Sequence, residues 1–189
     1  MLFDKYPVQI AGFWLYFCLW FVAMAVHADD FAIVQASTHL SGHLYKLDTE
    51  IHYQLSDEAV DALHHGISLT LVLSAKVFKK RWLWDENIAD IKQRYLLSYQ
   101  PLTKQYQVKF LNTGFIEFFD SLSLLLVELG IIEGLPLLDE KWVNDKKPYY
   151  VELDAQLDIE ALPTALRPLA YLSSHWRLSS RVFVCRLAK

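Results

Sequence analysis

The chain is poor in the residues that staple, hinge or cradle. Of 189 residues only two are cysteines, Cys18 and Cys185. At most one internal disulfide is possible, so the fold must rest on its core. Six glycines leave little room for phosphate-binding loops, and neither G-x-G-x-x-G nor G-x-x-x-x-G-K-[ST] occurs. The nucleophile elbow G-x-S-x-G and the S-x-x-K pair are missing too. There is no internal repeat, no low-complexity tract and no linker rich in Gly, Ser or Pro. Charge is absent from Tyr6 to Val26.

That uncharged run organises the N-terminus. Lys5 and the α-amino group precede it, Phe13 to Ala25 is almost wholly apolar, and Val26-His27-Ala28 follows with small residues at minus three and minus one. The pattern predicts a secretory signal over residues 1–28, cut after Ala28. An uncleaved anchor over residues 8–28 is the alternative, since a span needs about 17–25 residues. Either way residues 29–189 are expected as one exported, periplasmic domain. Aromatic residues before Cys18 are too bulky for a lipobox. Because Asp4 and Lys5 cancel, loss of the leader keeps the formal charge at −4. A nucleic-acid partner is not expected from that balance, and membrane attachment is expected only through an uncleaved leader. Cys185 reads as a small buried hydrophobe in a strand.

Beyond the leader the dominant signal is a period of two. Phe31, Ile33 and Gln35 open a short strand, and Ser41-Gly42 makes a turn. Tyr45, Leu47, Thr49, Ile51, Tyr53 and Leu55 alternate against Lys46, Asp48, Glu50, His52 and Gln54, giving one dry and one wet face. Ser56 predicts a helix cap, with Asp57 and Glu58 in the first turn and Gly66 as the stop. Ile67 to Arg81, Ala89 to Tyr99, Tyr106 to Phe110, Tyr149 to Leu157 and Trp176 to Leu187 read as further strands, the second and third forming a hairpin. Phe118 to Leu129 recurs at helical spacing, with Asp120 as cap and Gly130 as end. The segment between Gly130 and Tyr149 is weakly patterned, and Pro163 and Pro168 mark a loop. The expected fold is mainly β, an antiparallel β-sandwich-like domain with two short helices; α+β is the alternative.

Candidate chemistry is sparse. His39 and His43 flank a turn, and His64 and His65 are adjacent, so no zinc set is spelled out and ordinary surface histidines are expected. No cofactor is expected. The paired acids Asp57-Glu58, Asp85-Glu86 and Asp139-Glu140 sit at helix starts or turns, where solvated carboxylates are normal. The distinctive cluster is Lys79, Lys80, Arg81, Trp82, Leu83, Trp84. Cations beside tryptophans suit a recognition surface. Tryptophan is usually well buried, so the favoured expectation is that both rings pack at the sheet rim while the cations reach water.

The segments Lys80-Arg81-Trp82-Leu83-Trp84-Asp85, Arg94-Tyr95-Leu96-Leu97-Ser98-Tyr99-Gln100-Pro101-Leu102-Thr103-Lys104-Gln105-Tyr106, Leu157-Asp158 with Leu162-Pro163, and Trp176-Arg177-Leu178-Ser179-Ser180 resemble the bacterial family DUF4390. Gln156 departs from an arginine frequent in that family. The resemblance implies no activity. It does imply a context, because relatives are often encoded beside a membrane-bound sensor kinase. The resulting expectation is a non-enzymatic periplasmic module that binds such a kinase or another envelope protein. A carrier for an apolar ligand using Phe118 to Leu129, and a hydrolase with a non-sequential site, are the alternatives.

Overall fold

The computed structural model describes residues 31–144 and 147–188. The secretory signal expected over residues 1–28 lies outside these residues, and among them no helix is long and apolar enough to cross a membrane. The strands are β1 (Phe31–Ser41), β2 (Leu44–Tyr53), β3 (Leu69–Lys79), β4 (Glu86–Gln100), β5 (Gln105–Phe110), β6 (Ile116–Phe119), β7 (Ile131–Asp139), β8 (Tyr149–Leu157) and β9 (Phe183–Arg186). The helices are α1 (Asp57–His64), α2 (Leu122–Gly130) and α3 (Arg167–Leu172). One sheet has the order β1-β2-β7 and the other β6-β5-β4-β3-β8-β9, with every neighbouring pair antiparallel. The protein is mainly β, a sandwich-like arrangement of two antiparallel sheets with short helices.

Alternation explains the core. Tyr45, Leu47, Ile51 and Tyr53 of β2 meet Leu69, Leu71, Leu73, Ala75 and Val77 of β3 and Val151, Leu153 and Ala155 of β8 in one buried cluster. Each leucine buried there contributes roughly 1.5–3 kcal/mol. On the other face of β3, Thr70, Val72 and Ser74 are also shielded. Their cross-strand neighbours on β4 and β8 include the long side chains of Arg94, Lys92 and Gln156. Stems of long polar side chains cover such surface while their heads stay wet.

Helices close the lower end. Ser56 caps α1 as its position predicts, accepting from the Ala59 N–H at 3.2 Å and donating to the His175 carbonyl at 2.7 Å. Gly66, at φ +84°, turns the chain out of α1. Helix α2 buries Leu125 and Leu129 and packs on β2. Gly130 ends it for a reason the spacing does not reveal: a Cβ there would lie 2.1 Å from the backbone oxygen of Ile51.

Several expectations change. Strand β1 runs to Ser41 along its pairing with β2, and a bulge between Ile33 and Gln35 shifts its register, leaving Gln35 exposed. Phe118 belongs to β6, and Ser121, not Asp120, caps the shortened helix. The weakly patterned segment after Gly130 is β7, an edge strand in which Pro136 is tolerable. The Pro163–Pro168 region holds a third helix, with Pro168 in its first turn. Only Phe183–Arg186 of the expected last strand is continuous. Trp176, expected to open that strand, is buried in a 3-10 turn instead.

Candidate interaction surface

The upper end carries the hairpin turn between β3 and β4. As β3 leaves the sheet, the Lys79 ammonium stands 6.0 Å over the Tyr149 ring and 4.0 Å from the Glu86 carboxylate, which also pairs with the Arg81 guanidinium. The Lys80 N–H donates to the Pro148 carbonyl at 3.0 Å. Asp85 then ties the turn together. Its carboxylate accepts from the Arg81 backbone N–H at 2.9 Å and from the Tyr150 hydroxyl at 2.7 Å, while the Tyr150 ring stacks on Phe78 at 5.4 Å. The Arg81 N–H, then the Tyr150 hydroxyl and the Lys80 charge, hold Asp85 below the usual carboxylate range. The same bond to Asp85 pushes Tyr150 up to about 12.

This fastening has a consequence that overturns the packing expectation. Trp82 is 99% exposed, Trp84 73% and Leu83 71%. Residues 82–84 follow the end of β3, and the described residues leave both indoles largely uncovered. The sequence places the cations and tryptophans side by side; the structure makes the tryptophans a bare knob on a braced turn. Trp142, in a 3-10 turn after β7, is also 69% exposed.

Behind the knob lies a cleft of about 730 Å³. Tyr45, Tyr149 and Tyr150 supply aromatic wall, and Lys80, Lys147 and Arg186 supply cations. Asp85 is the one carboxylate among its described lining residues, and no histidine is among them. Sequence reading misses these partners because they come from β2, β8, β9 and the residues beside them, far apart in the chain. A weak signal existed in Lys141-Trp142, a second cation–tryptophan step.

The other candidate residues do not join this end into a reactive centre. His39 pairs with Asp48 at 2.8 Å and His43 with Glu140 at 3.3 Å, so the two histidines take separate carboxylates. His64 meets the Tyr106 hydroxyl at 2.6 Å, and His175 meets Glu58 at 2.9 Å. Among the described residues no three His, Cys, Asp or Glu gather as a metal set. Cys185 is in β9 but only half-buried, and burial pushes its thiol up.

A second, apolar cavity of about 370 Å³ opens at the lower end, between the last residues of β2 and α2. Strand pairing of β2 with β7 stops at Glu50–Ile131, which leaves room beside Tyr53 and Leu55. Val60, Leu122, Leu126 and Val127 form its walls.

Comparison with known proteins gives no match among curated proteins or solved structures. A family model described as "Domain of unknown function (DUF4390)" matches residues 28–186, which include the knob, its braces and nearly all of the cleft wall. The chain belongs to the DUF4390 family.

Proposed function

We propose that this protein is a non-enzymatic binding module of the bacterial periplasm, and that the open upper end docks a protein partner of the envelope. The observation that carries the reading is the bare Trp82–Leu83–Trp84 knob on a turn braced by Asp85. Large exposed aromatics have no folding role there, and tryptophan beside arginine is the composition of interface hot spots. Bracing lowers the ordering cost of binding, because the knob is already held in place. The family context favours the outward-facing part of a membrane-bound sensor kinase, and the leader supports export. A photo-crosslinking amino acid in place of Leu83, activated in intact cells, should attach the chain to an envelope protein. Equal labelling from Leu83 and from a control site on the outer sheet face, such as Asp90, would refute the reading.

One observation supports a second reading, that of a carrier for an apolar ligand: the cavity between β2 and α2. Native mass spectrometry of the purified protein should then find a co-purified lipid. An empty protein would remove this reading.

A further inference from the structure

We infer that the partner segment docked at the upper end is acidic, and that it lies in the tyrosine-walled cleft behind the knob. This rests on the reading of that end as a protein-docking surface. The inference comes from where charge is left uncompensated. Glu86 takes both Lys79 and Arg81. Asp85 has one oxygen bonded to the Arg81 N–H and the other to the Tyr150 hydroxyl. Among the described lining residues three exposed cations, Lys80, Lys147 and Arg186, therefore stand against a single carboxylate that is already committed. In a chain of formal charge −4 this is a local reversal of sign. A basic segment would meet like charge on several sides, whereas an acidic one meets complementary potential, which selects partners and speeds encounter.

The aromatic walls refine the chemistry. Tyr150 is half-buried and offers ring surface, while Tyr45 and Tyr149 are buried walls of the cleft. A segment alternating acidic and apolar residues would suit both cations and ring, its carboxylates toward Lys80, Lys147 and Arg186 and its apolar groups toward Tyr150 and the knob.

The test uses the domain from Asp29 and two synthetic peptides that share one Phe and one Leu, one rich in Asp and Glu and its twin carrying Lys at those positions. Binding is read from the fluorescence of the exposed tryptophans. The acidic peptide should bind saturably and the lysine twin should not. The triple variant Lys80→Gln, Lys147→Glu, Arg186→Glu changes only exposed side chains and puts no like charge beside Asp85, so it should keep the wild-type melting curve. It should weaken the acidic peptide about tenfold or more. Raising ionic strength from about 0.01 M to about 1 M, which shortens the screening length from about 30 Å to about 3 Å, should weaken it as well. Equal binding of both peptides, or no binding of either, overturns the inference. So does an acidic-peptide affinity that the triple variant leaves unchanged. Capture of envelope proteins separates the two claims. Loss of capture by Trp82→Ala/Trp84→Ala but not by the triple variant leaves the docking surface standing and sinks its acidic partner. Capture unaffected by either variant sinks both.

Discussion

The two ends of the sandwich are finished in different ways. At the lower end α1 and α2 fold over the strands, Leu63, Leu125 and Leu129 are buried, and Gly130 lets helix backbone touch strand backbone. At the upper end, among the described residues, there is no α-helix, only the 3-10 turn Glu140–Trp142. The finish there is a turn whose polar braces are internal and whose apolar side chains point away from the protein. The buried leucines at the lower end are explained by folding, while Leu102, Leu124 and Val127 there are exposed. What sets the upper end apart is that two exposed tryptophans and a leucine share one braced turn, and that is why the functional reading falls on them.

This contrast can be broken in several places. The largest effect is expected at the closed end, where Leu125→Ala should destabilise by about 2–5 kcal/mol in denaturant unfolding, because the helix cannot collapse fully into the cavity left. A loss below about 1 kcal/mol would mean that α2 is not part of the core. Gly130→Ala should follow, at or above the top of the ~1–3 kcal/mol usual for overpacking, since a backbone oxygen cannot rotate away from the new methyl. A neutral result would remove the close helix–strand contact from the description.

Smaller effects are expected at the open end, and they concern local order. Asp85 titrates below the usual carboxylate range in the folded state. The stabilisation it gives the turn is therefore complete above the ordinary carboxylate pKa and is lost as pH falls through the depressed value. Tyr150 behaves oppositely: raised to about 12, it supports the turn below the ordinary tyrosine pKa and loses that support as pH rises through the raised value. The Arg81 amide resonance, followed by NMR into acid, should report a midpoint below 3.8, the ordinary value for aspartate. In Tyr150→Phe that midpoint should move back up. An unmoved midpoint would mean that Tyr150 does not brace the turn.

How much of this was legible in the residues differs between the two ends as well. Strands β2, β3, β4 and β8 are plain in the alternation because each has one face on the core, and Ser56 declares α1 because side-chain capping is a local event. Strand β1 is hidden past Ile33 by its bulge, which swaps the facing of every later residue. Strand β7 is hidden because Gly134 and Pro136 interrupt any period, and because an edge position asks little of its sequence. Phe118 passes for helix because it falls in phase with Leu122 and Leu125, although it belongs to β6. The knob was visible as composition, Lys79 to Trp84, but its exposure was not. Whether a tryptophan is buried depends on what stands opposite, and here that depends on Asp85 reaching the Arg81 N–H and on Tyr150 arriving from β8, 65 residues away in sequence. Lys147 and Arg186 carry no signal that ties them to Lys80.

The most direct measurement combines stability and capture for one variant, Trp82→Ala/Trp84→Ala. Trp82 is fully and Trp84 largely exposed, so unfolding should stay within about 1 kcal/mol of wild type, while in-cell crosslinking to the envelope partner should disappear. Unfolding shifted by more than about 1 kcal/mol, a size that implies lost packing, or crosslinking that persists at the wild-type level, would contradict the assignment of this knob as a surface kept for binding.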